Sequence, residues 1–187
     1  MHRLLMPCVF ALAAPAAAQS RDACLVGRWA PDGNGAAEWL QRAVPGMRAS
    51  VPAQSGVLEL RRDGTFVAHA ATQGQVQARH LRGDMQGRFA SRGTWRGASG
   101  RMDLVPERQA IEGRMSVTDG ARRHTQALPQ GPASPTAYAY TCAGAGLTTR
   151  MSVPGSVIPL VQRYRRLPAR DAATSPPARR APAPTTP

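Results

Sequence analysis

Lysine is absent from this 187-residue sequence: all 24 basic residues are arginine, set against 11 carboxylates, for a formal net charge of +13. Aromatic residues are scarce, at 5%, which limits the size of the core and gives any cross-link more weight. The basic runs are short pairs, such as Arg61-Arg62, Arg122-Arg123 and Arg165-Arg166, with no interleaved aromatics. That pattern argues against specific nucleic-acid readout. The signatures of common catalysts are also missing. There is no GxSxG, no CxxC and no glycine-rich loop leading into a helix as a phosphate cradle. Beyond the first residues no apolar run is long enough to span a bilayer as a helix.

The first 18 residues read as a secretory signal peptide. His2 and Arg3 supply the basic start, Leu4 to Ala14 the apolar segment, and Ala16-Ala17-Ala18 the small-residue cleavage site. The expectation is an exported protein, periplasmic or secreted, whose mature chain starts at Gln19. A lipoprotein reading of Leu5-Met6-Pro7-Cys8 is disfavoured by the bulky Met and Pro. Cys8 leaves with the leader, so Cys24 and Cys142 remain, 118 residues apart. In an oxidising compartment two distant cysteines read as one disulfide, with two free thiols as the alternative.

After the leader, the alternation of side chains is mostly that of strands. Cys24 to Ala30 is a first short strand, with Gly27 leaving room for a bulky neighbour and Trp29 on the same face. Ala36 to Val44 is the best helix, with Asn34 placed to cap it and Pro45-Gly46 to stop it. Val57 to Ala70 holds two runs around Asp63-Gly64 and predicts a hairpin, with Phe66 and Ala68 facing Leu58 and Leu60. Further strands are predicted over 75–81, 85–91, 93–96, 101–105, 109–117, 122–128, 138–142, 147–153 and 161–167. From Pro168 the composition is Pro, Ala, Thr and Arg, which predicts a disordered tail over 168–187. With one helix and no βαβ pattern, the expected fold is all-β: an antiparallel barrel of about 8–10 strands in a single domain over 22–167.

The ordered set CLVGRW (24–29), LEL (58–60), DGTF (63–66), GTW (93–95) and YTCAG (140–144), with Leu147 and a closing Tyr164-Arg165, resembles small exported bacterial lipocalin-like β-barrel proteins. In lipocalins a Gly-x-Trp marks the first strand, and the Trp packs across the closed end of the barrel. The resemblance implies that role for Gly27 and Trp29. A helix directly after strand one departs from the standard lipocalin order and places that helix near the barrel mouth or under the barrel.

No metal site is expected from His69, His80 and His124, because none has a suitably spaced partner. Glu59, Asp103, Glu107 and Glu112 are interleaved with arginine, and surface pairing fits them better than acid–base catalysis. No cofactor and no enzymatic activity are expected. The inward sets Leu58, Leu60, Phe66, Met102, Leu104, Met115 and Tyr138 would either fill the barrel or line a cavity for a small apolar or amphipathic ligand. If they fill it, the arginine-rich exterior becomes the interaction surface, for anionic lipid headgroups or an anionic envelope polymer.

Overall fold

The computed structural model describes residues 21–79 and 81–168; the leader and the tail beyond Pro168 lie outside the described residues, as does His80. Nine strands and one helix follow in chain order: β1 (Gly27–Asp32), α1 (Gly35–Ala43), β2 (Met47–Leu60), β3 (Thr65–Ala78), β4 (Leu81–Ala98), β5 (Arg101–Asp119), β6 (Arg122–Ala127), β7 (Thr136–Ala143), β8 (Gly146–Met151) and β9 (Leu160–Arg166). Strands β1, β2, β3, β4, β5, β7, β8 and β9 close an eight-stranded ring in which every pairing is antiparallel, and β6 hangs on β5 as a ninth strand. Closure leaves no free edge within the ring.

The strands are unequal, and this divides the molecule. β1 meets β2 only where Gly27–Trp29 face Leu58–Leu60, and β7 meets β5 only over Arg101–Leu104. Past those points β2, β3, β4, β5 and β6 continue together as a five-stranded sheet, here termed the arm, which leaves the ring behind. The barrel proper holds the core: Leu25, Trp29, Leu60, Phe66, Trp95, Met102, Tyr140 and Leu147 are all buried there. None of these nine core positions, Leu58 included, lies in the arm.

The hairpin around Asp63-Gly64 keeps the expected register, Leu58 opposite Ala68 and Leu60 opposite Phe66. Asp63 shapes the turn by accepting from the Thr65 amide and hydroxyl at 2.8 and 2.7 Å. Asn34 caps α1, taking the Ala37 amide at 3.2 Å. The helix lies at the barrel mouth, between the start of β9 and the β2 edge of the arm. Trp39 donates to the Ile158 carbonyl and Gln41 to the Ala49 carbonyl.

Two pairs of predicted strands are each one long strand. The runs 85–91 and 93–96 merge into β4, and 101–105 and 109–117 merge into β5. The sequence breaks at Pro106, but the strand passes through it by a bulge: the register shifts so that Gly93 faces Pro106 while Arg92 faces Arg108. A bulge tolerates a proline, and this one lies where β5 has just left β7. A Cβ on Gly93 would strike the Val105 carbonyl, so the bulge needs glycine there. The run 75–81 divides instead. β3 ends at Ala78 and β4 begins at Leu81, with Arg79 at φ 49°, a conformation no turn signal announces for arginine.

Candidate functional site

One end of the barrel is sealed. Before β1, residues 22–25 turn across it. The Asp22 amide donates to the Gly97 carbonyl at 2.8 Å, and Leu25 is wholly buried as a plug. Cys24 and Cys142 are joined, Cα to Cα 6.1 Å, an ordinary disulfide span. The Tyr140 hydroxyl donates to Asp22 Oδ2 at 2.8 Å, and Trp29 Nε1 donates to the Leu25 carbonyl at 2.8 Å. Burial, and then the carboxylate of Asp22, pushes the Tyr140 phenol up to about 12.

Arg166 is the residue of this end that the sequence does not announce. Its guanidinium lies 4.2 Å from the centroid of the Trp29 ring and donates to the carbonyls of Val26 and Cys24. A side chain on Gly27, whose φ is +148°, would occupy the same space as that guanidinium. Gly27 and Trp29 therefore serve one contact. The glycine admits the arginine, and the indole receives it as a cation–π partner. Arg165, one residue earlier, points outward. A hint was available in the period-two alternation of β9, which puts Gln162, Tyr164 and Arg166 on one face.

Above the sealed base the interior is not filled. A cavity of about 220 Å³ lies at the mouth end. Leu58, Phe66, Met102, Leu104 and Tyr138 line it, as the sequence pattern suggests. Two residues expected on its wall are elsewhere. Leu60 is 1% exposed in the packed base, one position too deep. Met115 faces Met85 in the arm, because β5 runs far past the ring before reaching it. The filled and hollow barrels weighed from sequence are therefore stacked, one above the other, in the same molecule.

The sequence pattern misses the cavity's polar groups. Ser91, Thr149 and Tyr164 also line it, with Phe89 at the rim toward the arm. Ser91 and Thr149 are buried. Burial, and then the nearby Tyr138 hydroxyl, raises the Tyr164 phenol to about 12; burial raises Tyr138 as well. Both phenols keep their protons at neutral pH, as any tyrosine does, and can donate into a chamber whose wall mixes apolar side chains with Ser91, Thr136, Thr149, His69 and Gln109. These positions were legible as inward-facing by alternation, but a tyrosine or serine in a strand carries no signal of its own. No protein-family model, curated protein or solved structure matches this chain. The chemistry must be read from the site itself.

Among the described residues no three of His, Cys, Asp and Glu converge. The expected strand carboxylates lie on the outside: Glu59 pairs with Arg61 at 2.8 Å, and Asp103 with Arg96 and Arg101, each at 3.3 Å. No helix among the described residues is long and apolar enough to cross a membrane.

Proposed function

We propose that the protein is an exported, non-catalytic binding protein that takes a small amphipathic molecule, or one end of a longer one, into the upper barrel. The observation that carries this reading is the combination in one chamber of apolar side chains, Leu58, Phe66, Met102 and Leu104, with the phenol groups of Tyr138 and Tyr164. Hydrocarbon on the ligand replaces water against Leu58, Phe66 and Leu104, at roughly 25 cal/mol per Å² buried. A carbonyl or carboxyl oxygen accepts from the tyrosines, and this fixes orientation. The volume, about 220 Å³, is below the range of roughly 300–1,000 Å³ typical of drug-sized ligands, so the occupant is small or only partly enclosed. The signal-like leader and the disulfide support export, and the ordered lipocalin-like motifs support a ligand-holding barrel.

The test is a thermal-shift and calorimetric screen with short- and medium-chain fatty acids and their methyl esters, run on the wild type and on Ala68→Phe. Ala68 lines the cavity, and the phenyl ring would occupy it. Binding by the wild type that disappears in A68F, with the fold retained by circular dichroism, supports the reading. Equal binding by both proteins, or none by either, rejects it.

A further inference from the structure

The arm has two unlike faces. Along β3 and β4 the positions continuous with the barrel interior are mostly apolar or glycine: Val76 faces Gly83 and Gly74 faces Met85. The opposite face carries amides and guanidinium groups. There Gln73 faces Gln86, which in turn faces Arg114; Gln75 faces Asp84; and Arg88 faces Glu112. Two shallow grooves of about 500 and 430 Å³ run over this polar face. The larger is lined by Gln73, Gln86, Arg88, Glu112 and Arg114, the other by Gln75, Gln77, Arg82, Asp84 and Arg48. Among the described residues Arg82, Arg88 and Arg114 form no ion pair and no side-chain hydrogen bond. The Glu59–Arg61 and Asp103–Arg96/Arg101 pairs lie at the sealed end and Glu38–Arg163 beside α1, whereas Arg82, Arg88 and Arg114 are exposed to solvent.

We infer that the outer face of the arm binds an acidic polysaccharide, lying across β3, β4 and β5. Three observations select this partner. Unpaired arginines offer bidentate sites for carboxylate or sulfate groups. Glutamines 73, 75, 77 and 86 offer both donors and acceptors to sugar hydroxyls. Asp84 and Glu112 accept hydrogen bonds from hydroxyls, yet would repel a chain that is anionic at every unit. Single-stranded nucleic acid fits less well, because the face has no aromatic side chain on which bases could stack. An anionic bilayer fits less well too, since the apolar side chains that would enter it are on the other face. This site is independent of the barrel cavity.

The test is direct titration of the full exported chain with hyaluronan oligomers, which carry one carboxylate on every second sugar, at low salt, by calorimetry, for three proteins. One is the wild type. The second is Arg88→Gln/Arg114→Gln, and the third is Arg62→Gln/Arg165→Gln, a charge-matched control on exposed barrel positions. Affinity should fall about tenfold or more in R88Q/R114Q and by no more than about twofold in the control. Gln73→Ala/Gln86→Ala, which leaves the charge intact, should also weaken binding severalfold. Equal losses in the two arginine pairs would mean that net charge alone is responsible and would overturn the proposal. So would wild-type protein that does not bind the oligomers, or tighter binding through Arg88 and Arg114 to single-stranded DNA or to phosphatidylglycerol vesicles. Unchanged thermal melts show that the variants remain folded, and the fatty-acid screen of A68F reports on the cavity separately.

Discussion

The barrel and the arm are built from the same strands, yet different forces hold them. In the barrel the inward side chains are large and meet in the centre: Trp29, Phe66, Leu60, Met102 and Leu147 are each 2% exposed or less. In the arm the same alternation continues, but the inward positions of β4 become Gly87, Met85 and Gly83, and what faces them is one more sheet residue or solvent. Leu128 is the exception, folding its side chain toward Gly87 and Gly113. The arm therefore depends on its backbone ladder and on continuity with a rigid base, and the barrel on burial. Regions with few buried apolar contacts open at lower free energy than the core. In this molecule stability is concentrated at one end, and the exposed chemistry at the other.

The sharpest way to break the contrast is at the staple. Replacing both Cys24 and Cys142 with serine removes a cross-link for which the loop-entropy view gives about 4–5 kcal/mol at this separation, 118 residues. Chemical denaturation of the double variant should show a large fall in midpoint; an unchanged midpoint would mean the staple contributes nothing. A matched pair of methionines comes next. Met102→Ala, in the packed base, should cost about 2–5 kcal/mol. Met115→Ala, half-buried in the arm, should cost less than about 1 kcal/mol. Equal costs would show that the arm has a core of its own. The third comparison is between adjacent arginines. Arg166→Gln loses the Trp29 stack and leaves the Val26 and Cys24 carbonyls without their donor, an expected cost of about 1–3 kcal/mol. Arg165→Gln should change stability by no more than about 0.5 kcal/mol.

The last contrast appears only in alkali, as a pH dependence confined to the barrel. Tyr140 and Tyr164 have phenols raised to about 12, and the arm contains no tyrosine. A phenol raised in the folded state favours folding fully below the unfolded value near 10 and ceases to do so as pH rises through about 12. Between those limits the unfolded chain has already released the protons that the native state retains, so stability falls with rising pH. Phenolate absorbance should appear late in the native protein and early in urea. Coincident titrations would contradict the burial of these rings.

Much of the barrel was legible in the sequence because its signals are local. Asp63-Gly64 with alternating neighbours dictates a hairpin, Asn34 followed by an apolar-periodic run dictates a capped helix, and two distant cysteines in a chain with a signal-like leader point to a staple. The arm was not legible, because its existence depends on strand length relative to neighbours that lie far away in sequence. Pro106 reads as a terminator unless one knows that β7 pairs with β5 only as far as Leu104, and Arg79 reads as a strand residue unless one knows that its φ is positive. The same reason explains Met115. Its inward phase was correct, but phase does not tell how far along a strand the barrel extends. Arg166 was hidden by a different rule, since a charged residue in a closing strand looks solvated until its aromatic and carbonyl partners are in place.

The chain enters the described fold at Asp22, beside Gly97, and leaves it at Leu167, whose amide donates to the Arg28 carbonyl. Both points are on the stapled base. Attachment at the base itself, beside Asp22 or Leu167, thus presents the chamber opening and the glutamine–arginine sheet to the surrounding fluid. Any fluorophore or affinity handle placed there reports from the pole most distant from the two surfaces on which binding is to be measured.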